Sequence, residues 1–98
     1  MLEPIKYDYK EFTLANGETN YDVKENVLGL FLYVAVAKNV QMKTNKNITF
    51  KFNRTSLEAV DFGIGDSPAQ ISDGFMDITN IYLTNASGVD ATIQIWLT

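Results

Sequence analysis

Residues 76–98 read MDITNIYLTNASGVDATIQIWLT, and the spacing of apolar residues along this stretch decides the fold class. Ile81 and Leu83 alternate with Asn80, Tyr82 and Thr84; Ala91, Ile93, Ile95 and Leu97 alternate with Thr92, Gln94, Trp96 and Thr98. A period of two places each set on one side of a β-sheet. Asn85–Val89 between the arms is rich in turn formers, and Gly88 supplies a position that accepts φ > 0. The stretch therefore reads as a C-terminal β-hairpin. A three-residue loop, Ala86-Ser87-Gly88, pairs Leu83 with Ala91 and Ile81 with Ile93 and brings the apolar faces together, whereas a one-residue slip would move one set to the wrong side. In this register Trp96 stands opposite Ile78 on the second face, with Tyr82 further along it.

Working outward, the chain carries further short strands separated by turn signals. Ile5–Leu14 changes phase between Tyr7/Tyr9 and Phe12/Leu14, which a bulge near Lys10-Glu11 would reconcile; alternatively residues 1–6 form a loose or exchanged arm. Asn16-Gly17 is a turn dipeptide, and Tyr21–Lys24 a short polar edge strand. Val27–Ala37, VLGLFLYVAVA, is the most apolar run. Its β-branched and aromatic content predicts a strand, with Leu28, Leu30, Leu32, Val34 and Val36 in one row and Phe31 and Tyr33 in the other; a helix is the alternative. Val40–Lys43, Ile48–Asn53 and Leu57–Phe62 follow as strands, Ala69–Ser72 pairs briefly at an edge, and Asp73-Gly74 turns into the final hairpin. The prediction is one all-β domain over residues 1–98: a two-layer antiparallel β-sandwich, jelly-roll-like, of roughly eight or nine short strands.

Composition narrows the function. The chain has 98 residues, no Cys and no His, which excludes disulfides, Cys or His metal sites and Ser-His-Asp or Cys-His catalysis. A net charge of −4 argues against nucleic acid, whose phosphates call for a basic surface. No apolar run is long enough to span a bilayer as a helix, and MLEPIKYDYK lacks the apolar segment of a signal peptide. Asp61-Phe62-Gly63 matches a kinase tripeptide without the rest of a kinase. Asp61, Asp66, Asp73 and Asp77 bracket a glycine-containing loop, but their spacing fits turn chemistry better than a calcium loop. Asn47, Asn53 and Asn85 open N-x-S/T triplets, a pattern short enough to arise by chance. No carboxylate pair stands out as an acid and base. The reading is a non-enzyme with no cofactor. Its candidate interface residues are Phe31, Tyr33, Ile78, Tyr82 and Trp96, since aromatics bury much area at small entropic cost.

Three segments carry a family resemblance: YDYKEFTLANGETNYDVKENVLGLF, ITFKFNRTSLEAVDFGIGDSP and MDITNIYLTNASGVDATIQIWL. In strand texture and turns they resemble small virion structural proteins of tailed bacteriophages. The resemblance implies a β-sandwich subunit that decorates the capsid or sits on the head surface. It also implies a homo-oligomer, taken as a trimer, bound to the major capsid or other virion proteins, assembled in the host cytoplasm and located in the virion. A receptor- or carbohydrate-binding knob of a fibre and a neck or tail adaptor are the rival roles.

Overall fold

The computed structural model describes residues 7–65 and 68–98 (for residues 73–75, the backbone alone). Eight strands are present among them: β1 (Asp8–Leu14), β2 (Tyr21–Asp22), β3 (Ala37–Thr44), β4 (Ile48–Phe52), β5 (Val60–Phe62), β6 (Ala69–Ile78), β7 (Ile81–Thr84) and β8 (Ala91–Leu97). One sheet has the order β1-β8-β3-β6 and the other β2-β7-β4-β5. All pairings are antiparallel. The chain passes between the sheets at nearly every connection, and β4 and β5 alone pair with a sequence neighbour. This is the jelly-roll arrangement, so the predicted fold class holds.

The inward faces come from period-two alternation. Ile81 and Leu83 on β7, and Ala91, Ile93, Ile95 and Leu97 on β8, are all buried. They meet Val40 and Met42 of β3 and Ile48 and Phe50 of β4 in one core. The C-terminal hairpin, however, does not form. β7 pairs with β2 and β4, and β8 with β1 and β3, so the two arms lie in different sheets. Alternation states which side of a strand is oily; it does not state whether the partner lies beside the strand or across the core. Residues 85–90 make the corner. Gly88 takes the positive φ expected of it, +94°. Asn85, fully buried, donates from Nδ2 to the carbonyls of Leu14 (2.9 Å) and Val89 (2.8 Å) and accepts from the Ser87 N–H (3.0 Å). Its burial also removes it as a glycan acceptor.

Other expectations shift for local reasons. β1 pairs with β8 in unbroken register from Asp8↔Leu97 to Leu14↔Ala91, without a bulge at Lys10-Glu11. Phe12 and Leu14 face inward and Tyr7 and Tyr9 outward, so Asp8, not a bulge, accounts for the apparent change of phase. The arm at residues 1–6 lies outside the described residues. Asp73-Gly74 is no turn: it runs within β6, and the register shifts of that strand against β3 absorb the extra residues. Tyr21–Asp22 is an edge strand as expected, but Val23–Asn26 then forms a single helical turn, whose N-cap Asp22 accepts from the Glu25 N–H at 3.0 Å.

The strands converge on two ends. The segments 15–20, 45–47, 63–65 and 85–90 gather at one. The segments 23–36, 53–59 and 79–80 gather at the other.

Candidate functional site

Val27–Ala37 is where sequence and structure part most clearly. It is not a strand until Ala37; residues 27–36 are a chain of turns and bends. Val27, Leu30, Phe31 and Val34 are buried, while Leu28, Leu32, Tyr33 and Val36 are 85%, 64%, 72% and 47% exposed. The buried set is spaced i, i+3, i+4, i+7, a period foreign to a strand. Gly29 sits at φ +98° and Phe31 at φ +56°, conformations that break strand geometry; the second is costly for a bulky residue.

Asp8 explains how such a loop holds. At the start of β1 its carboxylate is buried, 3% exposed. It accepts hydrogen bonds from the backbone N–H groups of Leu32 (2.9 Å), Tyr33 (3.1 Å to each oxygen) and Val34 (2.9 Å). Successive amides of an irregular segment have no ladder partner, and leaving them buried and unpaired is expensive. One acidic side chain supplies the missing acceptors and locks the loop against the sandwich.

The result is an apolar surface presented by a rigid backbone. Tyr7, Leu57, Val60 and Met76 are also exposed and belong to the same end of the sandwich. Of the large apolar side chains left exposed among the described residues, only Tyr9, Ile64 and Val89 lie elsewhere. Scattered exposed leucines need no explanation, but four large apolar side chains exposed on one ten-residue loop mark a candidate interaction surface.

The five residues proposed from sequence do not converge. Phe31 is buried beneath the loop, and Ile78 is buried in the core opposite Ala37. Tyr33 is exposed on the loop. Tyr82 lies on the outer face of the second sheet between Asp22 and Lys51. Trp96 lies on the outer face of the first sheet, where it meets Gln41 and Tyr9 rather than Ile78. Its ring centroid is 4.9 Å from that of Tyr9, whose hydroxyl accepts from Gln94 Nε2 at 3.0 Å. Sequence reasoning missed Leu28, Leu32, Val36 and Asp8 as site residues. Asp8 did leave a signal: it shares the inward parity of Phe12 and Leu14, where an acidic residue demands a partner.

The opposite end carries two open depressions. One, of about 500 Å³, is lined by Asn47, Thr49, Asp61, Phe62, Thr84 and Ser87 among others. The other, of about 440 Å³, lies between Glu11, Lys43, Asn45 and Gln94. Among the described residues there is no group of three acidic side chains placed to hold a metal; of the four aspartates that bracket the glycine-containing loop, Asp66 and the side chain of Asp73 lie outside the described residues. No buried side-chain nitrogen or oxygen among the described residues lacks a partner.

No protein-family model and no curated protein matches the sequence. Among solved structures, the chain is similar to a de novo designed double-stranded β-helix determined by solution NMR. The TM-score is 0.54 at 14% identity, with 89% of this chain and 94% of that chain covered. At this identity the likeness is one of fold alone.

Proposed function

We propose that this chain is a structural subunit of a tailed-bacteriophage virion, decorating the capsid or head surface, and that it self-associates through the apolar end built by residues 27–36. One observation carries the self-association: Leu28, Leu32, Tyr33 and Val36 are exposed on a loop whose amides are tied to a buried carboxylate. A mobile loop would lose conformational entropy on binding, and a locked one has already done so during folding. Exposed leucines on an ordered loop gain roughly 25 cal/mol for each Å² of apolar area that a neighbour covers. The placement on a phage particle rests on the sequence resemblance, with which a small jelly roll is compatible.

In this role no chemistry is performed. The subunit works by covering surface, and repetition over symmetry-related copies turns a modest contact into firm retention. Antibody-gold labelling of phage particles whose genome encodes the chain is the direct test. Regularly spaced label on the head is the expected result. Unlabelled heads, with the protein recovered only from the lysate of infected cells, would refute the assignment to the head surface.

A further inference from the structure

Asparagine is among the least durable side chains. It breaks down fastest where the next backbone nitrogen can reach its side-chain carbonyl carbon. The chain has nine asparagines, and Asn16 alone is followed by glycine. Gly17 has φ +88°, with nothing within 4 Å of the place a Cβ would occupy, so no side chain screens its nitrogen.

The structure also sets Asn16 apart from the other eight. Seven of those have a carboxamide fixed by hydrogen bonds, Asn45 by the Thr92 N–H and Asn85 by the Leu14 carbonyl among them. The eighth, Asn20, precedes the bulky Tyr21. Asn16 is exposed, and its hydrogen bond runs from the backbone, where the N–H donates to Asp90 Oδ1 at 2.9 Å. Among the described residues nothing fixes its carboxamide. One bond does restrain the neighbouring nitrogen: the Gly17 N–H donates to the Asn85 carbonyl at 2.9 Å, at the corner between β7 and β8.

We propose that Asn16 is a site of spontaneous deamidation, held back in the fold by the hydrogen bond from Gly17 to Asn85. The Gly17 nitrogen forms a bond to the side-chain carbonyl carbon of Asn16. The bond from that carbon to the side-chain nitrogen breaks, and ammonia leaves with the Gly17 proton. Water then adds to either carbonyl of the five-membered imide and opens it, giving aspartate or isoaspartate at position 16. Both products place a carboxylate beside Asp90. Isoaspartate also lengthens the backbone by one methylene, which draws the Gly17 N–H off the Asn85 carbonyl and loosens the corner. The site lies at the end away from the apolar loop, so it stays in water when that loop is covered.

The test follows the full chain over time at neutral pH, folded and unfolded in guanidinium chloride, by mass spectrometry of its peptides. Asn16 is expected to convert before any other asparagine in both conditions. The folded rate should be lower by about tenfold, or ~1.4 kcal/mol for opening one backbone hydrogen bond. Asn85→Ala, which weakens the corner, should bring the folded rate closer to the unfolded one. A folded rate equal to the unfolded rate, a rate unmoved in Asn85→Ala, or conversion of another asparagine ahead of Asn16 overturns the proposal. None of these readouts depends on oligomeric state, so their outcome and that of the assembly reading are separable.

Discussion

Asp8→Ala is expected to destabilise the chain by about 4 kcal/mol, because the substitution strips the acceptor from three backbone amides at once. Hydrogen bonds to a charged group contribute roughly 1.5–3 kcal/mol each, and a buried donor left unpaired costs roughly 1–3 kcal/mol. These contributions are not additive, so about 4 kcal/mol is a middle value for the set. A domain of this size has roughly 5–15 kcal/mol in total, and each kcal/mol shifts its melting midpoint by roughly 4–8 °C. The midpoint should therefore fall by about 20 °C. Asp8→Asn keeps one carbonyl oxygen in place but turns an amide donor towards the Leu32, Tyr33 and Val34 N–H groups, which now surround the carboxylate. It should preserve the sandwich and loosen the loop. The measurement is hydrogen exchange: those three amides should lose protection before any amide of β8. If their protection is unchanged in Asp8→Asn, the carboxylate is not what holds the loop.

The second large effect belongs to the corner between β7 and β8. Asn85→Ala leaves the Leu14 and Val89 carbonyls without their donor and the Ser87 N–H without its acceptor, in a position with no solvent exposure. The expected loss is about 3 kcal/mol, seen as a lower denaturation midpoint with an unchanged denaturant slope. The corner matters because it sends β8 across to the other sheet and simultaneously ties the end of β1 to the connection. A lateral hairpin would place no such demand on Asn85; its turn would be solvated, and the same substitution would cost well under 1 kcal/mol. The size of the effect thus separates the two topologies in solution.

These two residues also show where the sequence was legible. Alternation at 81–84 and 91–97 identified the inward faces correctly, because period two follows directly from the pleat. It could not identify neighbours, because a strand paired laterally and a strand packed across the core present the same pattern to a reader of one chain. Val27–Ala37 misled for a different reason. Its residues favour strands one by one, but β-propensity measures fit to a half-buried pleated surface, and no such surface adjoins this segment. Gly29 at φ +98°, Phe31 at φ +56° and three amides turned towards Asp8 set its path instead. The candidate surface was half visible: an apolar run in excess of what the core needs implied contact with something outside, and Tyr33 was among the residues named. Which leucines face outward depends on the turns, and so on a carboxylate some 24 residues earlier in the chain.

The central claim is that the apolar end formed by residues 27–36 joins subunits together, and sedimentation equilibrium addresses it most directly. The wild-type chain should be measured beside Leu28→Asp/Leu32→Asp, a variant that alters two side chains already in water and leaves the Asp8 bonds intact. The expected result is a wild-type mass that is a multiple of 11.0 kDa and a monomeric variant, with the same circular dichroism for both. A wild-type chain that remains monomeric at its highest soluble concentration, or a variant that assembles equally well, would contradict it.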